Sequence, residues 1–201
     1  MILEDILENY LKTHDLVSDV HNLFKKYDKL HIFEHSKKVS VKAVQLANKF
    51  SVDSEKARIA AYLHDISGVI GDNEKIAFAE SLNIEILEEE RIFPLIIHQK
   101  LSREISLRIF DINDNDILQA ISCHTTLHGN PSSLDMILFV ADKIEWDQPG
   151  EPSYLKIVEE NLEHSLEKGV AVFIDYLMEN KNKLKVVHPW LKEAYENFRI
   201  T

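Results

Sequence analysis

The sequence predicts an all-α fold, and three observations carry that reading. Glycine and proline number only 5 each in 201 residues, so turns are scarce and long uninterrupted elements are expected. Apolar residues recur at three- and four-residue spacing, the repeat that puts them on one face of a helix. No segment shows the apolar/polar alternation of a half-buried strand. The length suits one domain, or one domain with a helical extension, and 45% hydrophobic residues can form a sizeable core.

The elements follow in order. From Glu34 to Phe50, the residues Val39, Ala43, Leu46, Ala47 and Phe50 define one buried face. Asp53 is the N-cap of the next helix, whose Ala57, Ala60 and Ala61 let a neighbour approach closely. That helix runs into His64-Asp65 and ends near Gly68. Asp72 opens a short helix through Glu80, and an acidic one follows from Ile84 to Arg91. Its Glu88-Glu89-Glu90 run reads as a solvated face.

Pro94 suits the first turn of a helix to about Phe110, and Asp114 caps one that reaches His124. The segment Thr125 to Ser132 contains Gly129-Asn130-Pro131 and is a loop. Ser133 then caps LDMILFVADKIEW, a helix too apolar to lie on the surface. Pro149-Gly150 with Pro152 is the clearest break. Beyond it a long helix is expected from Ser153 to Met178, and a last one from Pro189 to Phe198. Residues 1–147 are therefore read as a helical bundle, and 148–201 as C-terminal helices packing on the same domain.

Charge narrows the function. Lys plus Arg total 23 against 34 Asp plus Glu, a formal net charge of -11. Duplex nucleic acid and anionic membranes both require a basic surface, so neither is an expected partner. The N-terminal MILEDILENYLKTHD carries acids where a signal peptide carries bases, and a cytoplasmic location is expected. A lone cysteine, Cys123, excludes an internal disulfide framework and multi-cysteine zinc motifs.

The chemistry lies in the placement of histidine and aspartate. His35 begins one expected helix, His64-Asp65 ends a second, His98 lies in a third and His124 ends a fourth. Asp142 sits in the most apolar helix of all, where an ionised carboxylate must be paired or bind a metal. A salt bridge to Lys143 is the simpler alternative. Neighbours on a helix diverge by about 100°, yet at a fraying end His64 and Asp65 can reach one ion. Two imidazoles with two carboxylates suit Fe(II), Mn(II) or Zn(II) better than Ca(II). His14, His21, His164 and His188 have no such partners and read as surface residues.

The order His35, His64-Asp65, Asp142 resembles the HD superfamily of metal-dependent phosphohydrolases. The surrounding EHSKKVSVKAVQLA, AAYLHDISG and AISCHTTLHGNPSSLDMILFVADKIE look most like its YqeK group of symmetrical dinucleoside tetraphosphatases. The resemblance implies an HD-domain helical bundle with a C-terminal helical extension. Its metal would be held by His35, His64, Asp65 and Asp142. His98 and His124 would complete a second metal site or bind phosphate. One or two divalent ions are implied, iron before manganese or zinc, and a homodimer is compatible.

The implied reaction is hydrolysis of a nucleotide phosphate ester or anhydride, best represented by diadenosine tetraphosphate cleaved to ADP. Asp65 would orient the attacking water, and His98 or His124, where no second metal occupies them, would protonate the leaving group. Thr125 and Thr126 would lie beside the phosphates. The pattern departs at Ile32 and Gly68, where the group carries basic residues, and at Gln99 and Leu127-His128, where it carries glycine. His31, Lys37 or Lys38 would supply the missing charge. Two other readings stay open: an HD-type di-iron oxygenase acting on a small polyol or phosphonate, and a non-catalytic nucleotide-binding module.

Overall fold

The structure is a computed structural model that describes residues 4, 6, 8, 10, 12–146 and 149–199. Among them are eleven α-helices, three short 3₁₀ turns and no strand, as the sequence predicts. The helices are α1 (Leu16–Lys26), α2 (Leu30–Lys49), α3 (Ser54–Leu63), α4 (Lys75–Ser81), α5 (Glu88–Ile92) and α6 (His98–Arg108). They continue with α7 (Asn115–Cys123), α8 (Ser133–Ile144), α9 (Leu155–Leu162), α10 (Leu166–Glu179) and α11 (Pro189–Arg199). The boundary expected between residues 147 and 148 lies outside the described residues. No described helix is long and apolar enough to cross a membrane.

The most extensive pairing is α2 with α3. Ala43 and Ala47 of α2 and Ala57, Ala60 and Ala61 of α3 are all buried, and their small side chains permit close backbone approach. Helix α8 is the axis of the fold. It packs on α2, α3, α7, α9 and α10, which is why its apolar residues extend around nearly the whole helix. One hydrophobic cluster runs from Val20 through α8 to Leu191 and Ala194 in α11.

Capping follows the sequence closely. Asp53 accepts from the backbone N–H groups of Glu55 and Lys56, and Asp114 from those of Asp116 and Ile117. The cap of α8 is Ser132, one residue before the expected Ser133, and it forms a reciprocal box with Asp135. The expected helix from Asp72 begins at Lys75 instead. The Asp72 carboxylate is engaged by the Lys75 ammonium at 2.7 Å rather than by a helix N-terminus. The helix expected from Ile84 is confined to Glu88–Ile92.

The single helix expected from Ser153 to Met178 is two helices, broken at residues 163–165. Ser165 caps the second by accepting from Lys168 N–H. A Cβ on Gly169 would lie 2.4 Å from Leu162, so the glycine lets the two helices fold back on each other.

Two further expectations are overturned. Glu90 is fully buried rather than part of a solvated face, and His188 is 2% exposed rather than a surface residue. One Glu90 oxygen accepts from Leu87 N–H and from the Lys100 ammonium. The other lies 3.5 Å from His188 Nε2. This cluster ties the segment before α11 to α5 and α6.

The loop after α7 carries backbone strain. Leu127 sits at φ 55°, a left-handed conformation costly for a branched side chain, yet its side chain is fully buried. Leu127→Gly relieves about 1 kcal/mol of strain but forfeits a burial worth about 2–3 kcal/mol. Burial wins. The variant is expected to lower stability by about 1–2 kcal/mol in urea unfolding; an unchanged or raised midpoint would contradict this balance.

Candidate metal centre

The local fold aims the histidine rings. His64 follows directly on the end of α3, and its Nδ1 donates to Ala61 O at 2.8 Å. His98 at the start of α6 donates from Nδ1 to Leu95 O at 2.7 Å, and His124 after α7 to Ile121 O at 2.8 Å. Each ring thus bonds the carbonyl three residues earlier. That contact makes Nδ1 the protonated nitrogen of the neutral ring and leaves the Nε2 lone pair for a ligand.

These Nε2 atoms converge with two carboxylates. His35 Nε2, from α2, lies 2.9 Å from Asp142 Oδ1 of α8. His64 Nε2 lies 3.5 Å from the same oxygen and 3.4 Å from Asp65 Oδ2. The other Asp65 oxygen is 3.1 Å from His98 Nε2 and 3.5 Å from His124 Nε2. Asp65 therefore stands between two groups, His35–His64–Asp142 on one side and His98–His124 on the other. The former, and the trio His64–Asp65–His124, each present ligand atoms within 4.8 Å of one another.

A cation fits this arrangement. His98 Nε2 and His124 Nε2 are 2.8 Å apart although both Nδ1 atoms are committed to carbonyls. Two neutral rings in that tautomer face each other lone pair to lone pair, which only a shared proton or metal resolves. His64 Nε2 is buried without a hydrogen-bond partner in the same cluster. Asp142 also contacts Lys143 at 2.5 Å, so the simpler salt-bridge alternative coexists with the histidine contacts.

The charges are strongly coupled. Burial opposes ionisation of Asp65 and Asp142, but neighbouring His64, His98 and His124 outweigh it at Asp65, and Lys143, His35 and His64 at Asp142. Both carboxyls fall well below their ordinary range. Burial likewise opposes charging of His64, but Asp65 and Asp142 raise it to about 9. At His124 burial dominates and lowers it to about 4.

A metal held by His64 would have to displace its proton. Its apparent affinity is therefore expected to rise about tenfold per pH unit until about pH 9 and then level off. The metal-free protein moves the opposite way. The stability contributed by protonated His64 is complete below its unfolded value near 6.5 and is lost as pH rises through about 9. Chelator competition and urea unfolding across pH 6–10 check both signs. A flat affinity profile would show that His64 is not a ligand.

Two cavities adjoin the cluster and share Asp65, His98 and Thr125. One, of 240 Å³, is also lined by Lys143, Glu145 and Trp146. The other, of 390 Å³, extends past Ile32 and Gly68. Trp146, at 42% exposure, belongs to the first, a placement its spacing in the sequence does not signal.

Of the two threonines expected beside the phosphates, Thr125 faces the cluster and Thr126 does not. Thr125 Oγ1 lies 3.3 Å from His98 Nε2, but Thr125 N–H is taken by Gln99 Oε1. Thr126 is buried, and its hydroxyl bonds Gln99 and Leu127 O instead of opening to the cluster. His31 and Lys38 are exposed and line neither cavity. Gln99 thus occupies the N–H that the loop would otherwise present.

The imidazoles and carboxylates that meet here come from α2, α6 and α8 and from the ends of α3 and α7 of an all-helical bundle, the architecture of an HD-type hydrolase. The HD domain family model matches residues 32–147, and the chain belongs to that family. It is 43% identical, over 73% of its length and 74% of the relative's, to a Lactococcus lactis protein encoded in the pepC 5′ region. It is 30% identical to the Bacillus subtilis symmetrical bis(5′-nucleosyl)-tetraphosphatase, over 74% of this chain and 80% of that one. A Clostridium acetobutylicum crystal structure, titled as a predicted HD superfamily hydrolase involved in NAD metabolism, superposes with a TM-score of 0.83. It covers 94% of this chain and 98% of its own, at 25% identity.

Proposed function

We propose that the protein is a metal-dependent phosphohydrolase acting on a nucleotide phosphate ester or anhydride, and that diadenosine tetraphosphate, cleaved to ADP, is its reference substrate. The observation that carries the reading is the pair of facing Nε2 atoms at His98 and His124, 2.8 Å apart with Asp65 beside them. The tetraphosphatase name of the Bacillus subtilis relative supports the substrate.

His35, His64, Asp65 and Asp142 would hold a first divalent ion, with His98 and His124 completing a second site. Such an ion supplies acidity that readies water for attack and polarises a phosphoryl oxygen. Iron, manganese and zinc all suit these donors, with iron the preferred occupant. The chain's own groups do the rest. Asp65, held ionised, orients the incoming water by accepting its hydrogen bond. Where no second ion occupies them, the proton shared between the facing Nε2 atoms of His98 and His124 would pass to the leaving oxygen, and the proton lost by the attacking water would replace it. Thr125 Oγ1, beside His98, is the hydroxyl placed to meet a phosphoryl oxygen.

Anaerobic incubation with Fe(II) or Mn(II) and diadenosine tetraphosphate tests this directly. ADP as sole product is expected. AMP plus ATP would reject the symmetrical cut. No cleavage with metal demonstrably bound would reject the substrate.

A further inference from the structure

The larger cavity beside the cluster differs chemically from the smaller one. Gly68 and Ile32 line it together with Phe93, Leu95 and Ile96. A Cβ on Gly68 would stand 2.4 Å from Ile32 Cδ1, so the isoleucine fills the space a side chain at 68 would need. Apolar surface thus covers the ground nearest to Asp65 and His98. Leu95 is 41% exposed, an apolar side chain left open to water at the cavity mouth.

Charge points the same way. The ionisable lining residues besides His98 are Asp65, Asp72 and Lys75. Lys75 is 4% exposed and already gives hydrogen bonds to Ile70 O and to Asp72. The cavity therefore offers no unpaired cation among its described lining residues. A run of phosphates entering it would lose its hydration without meeting a free cation. An uncharged flat group would lose only apolar surface exposure. At 390 Å³ the space lies within the range of small-molecule sites. The smaller cavity is instead lined by the cluster itself, His35, His98 and His124 with Asp65 and Asp142.

We infer that the Gly68–Ile32 cavity seats an uncharged aromatic group, a nucleobase or aryl ring, with the phosphate chain left to the neighbouring histidine–aspartate cluster. This rests on the phosphohydrolase reading for the phosphate end alone. The aromatic end is tested without catalysis or metal.

Adenosine, which has no phosphate, is titrated into the metal-free protein and followed by chemical-shift changes, with tripolyphosphate as competitor. Saturable adenosine binding, undisturbed by tripolyphosphate, is expected. It should weaken at least tenfold in Gly68→Leu, whose new side chain occupies the cavity, and also in Leu95→Glu. Leu95 is exposed, so that variant is expected to fold even if Gly68→Leu does not. No adenosine binding at millimolar concentration, unchanged binding in Leu95→Glu, or displacement by tripolyphosphate would each overturn the assignment. Absence of phosphatase activity with adenosine binding intact would reject the reaction while leaving the cavity's role standing.

Discussion

Replacing His64 with alanine is expected to remove metal and turnover together. The imidazole is fully buried, its Nδ1 is fixed on Ala61 O, and its Nε2 faces both Asp65 and Asp142. Removing a group that only orients a ligand costs about 10–100-fold in affinity. Loss of a ligand must cost more, so affinity should fall by more than about 100-fold and turnover below about 1%. Asp142→Asn keeps the shape but not the charge and should behave alike. His164→Ala, at an exposed histidine, should match the unaltered protein. Metal content by elemental analysis beside initial rates decides it. Full turnover with normal metal content in His64→Ala would sink the assignment.

The fold was legible where a local signal and the tertiary environment agreed. Asp53 and Asp114 cap helices because a short carboxylate before an apolar run has an adjacent N–H to accept from. The ordered histidines and aspartates could be read because each falls at a helix end or on a buried face. The break between α9 and α10 was hidden, since the stretch around Ser165 has no proline and Val158, Leu162, Leu166 and Val170 keep helical spacing across it. Gly169 marks it only through its approach to Leu162, a contact made in three dimensions. Thr126 was misplaced for a related reason. Its hydroxyl turns inward because Gln99, 27 residues earlier, is positioned to donate to it from Nε2. Glu90 and His188 are a harder case. Nearly 100 residues separate them, and an acidic triplet gives no sign that its third member is buried.

That buried pair makes Glu90→Ala the substitution with the largest expected effect on stability. Glu90 is fully enclosed, and its carboxylate receives Leu87 N–H at 2.8 Å and the Lys100 ammonium at 2.9 Å. Truncation would leave that ammonium, whose side chain is 11% exposed, without its anion. Breaking a buried pair from one side costs about 3–5 kcal/mol. The Lys100 ammonium also lies 5.0 Å over the Trp190 ring and could relax toward it, so the lower end, about 3 kcal/mol, is expected. The pH dependence has a definite sign. Burial opposes ionisation of Glu90, but His188, Leu87 N–H and Lys100 outweigh it and lower the carboxyl below its ordinary value near 4.5. Its stabilising contribution is therefore present above about pH 4.5 and lost as pH falls through the depressed value. Glu90→Ala should accordingly lose most at neutral pH and approach the unaltered protein in acid. Because the cluster fixes the segment before α11, hydrogen exchange in α11 should accelerate with the substitution, while a double variant Glu90→Ala, Lys100→Met should recover part of the loss. A neutral-pH urea midpoint unchanged by Glu90→Ala would mean that the pair adds nothing beyond its own desolvation cost.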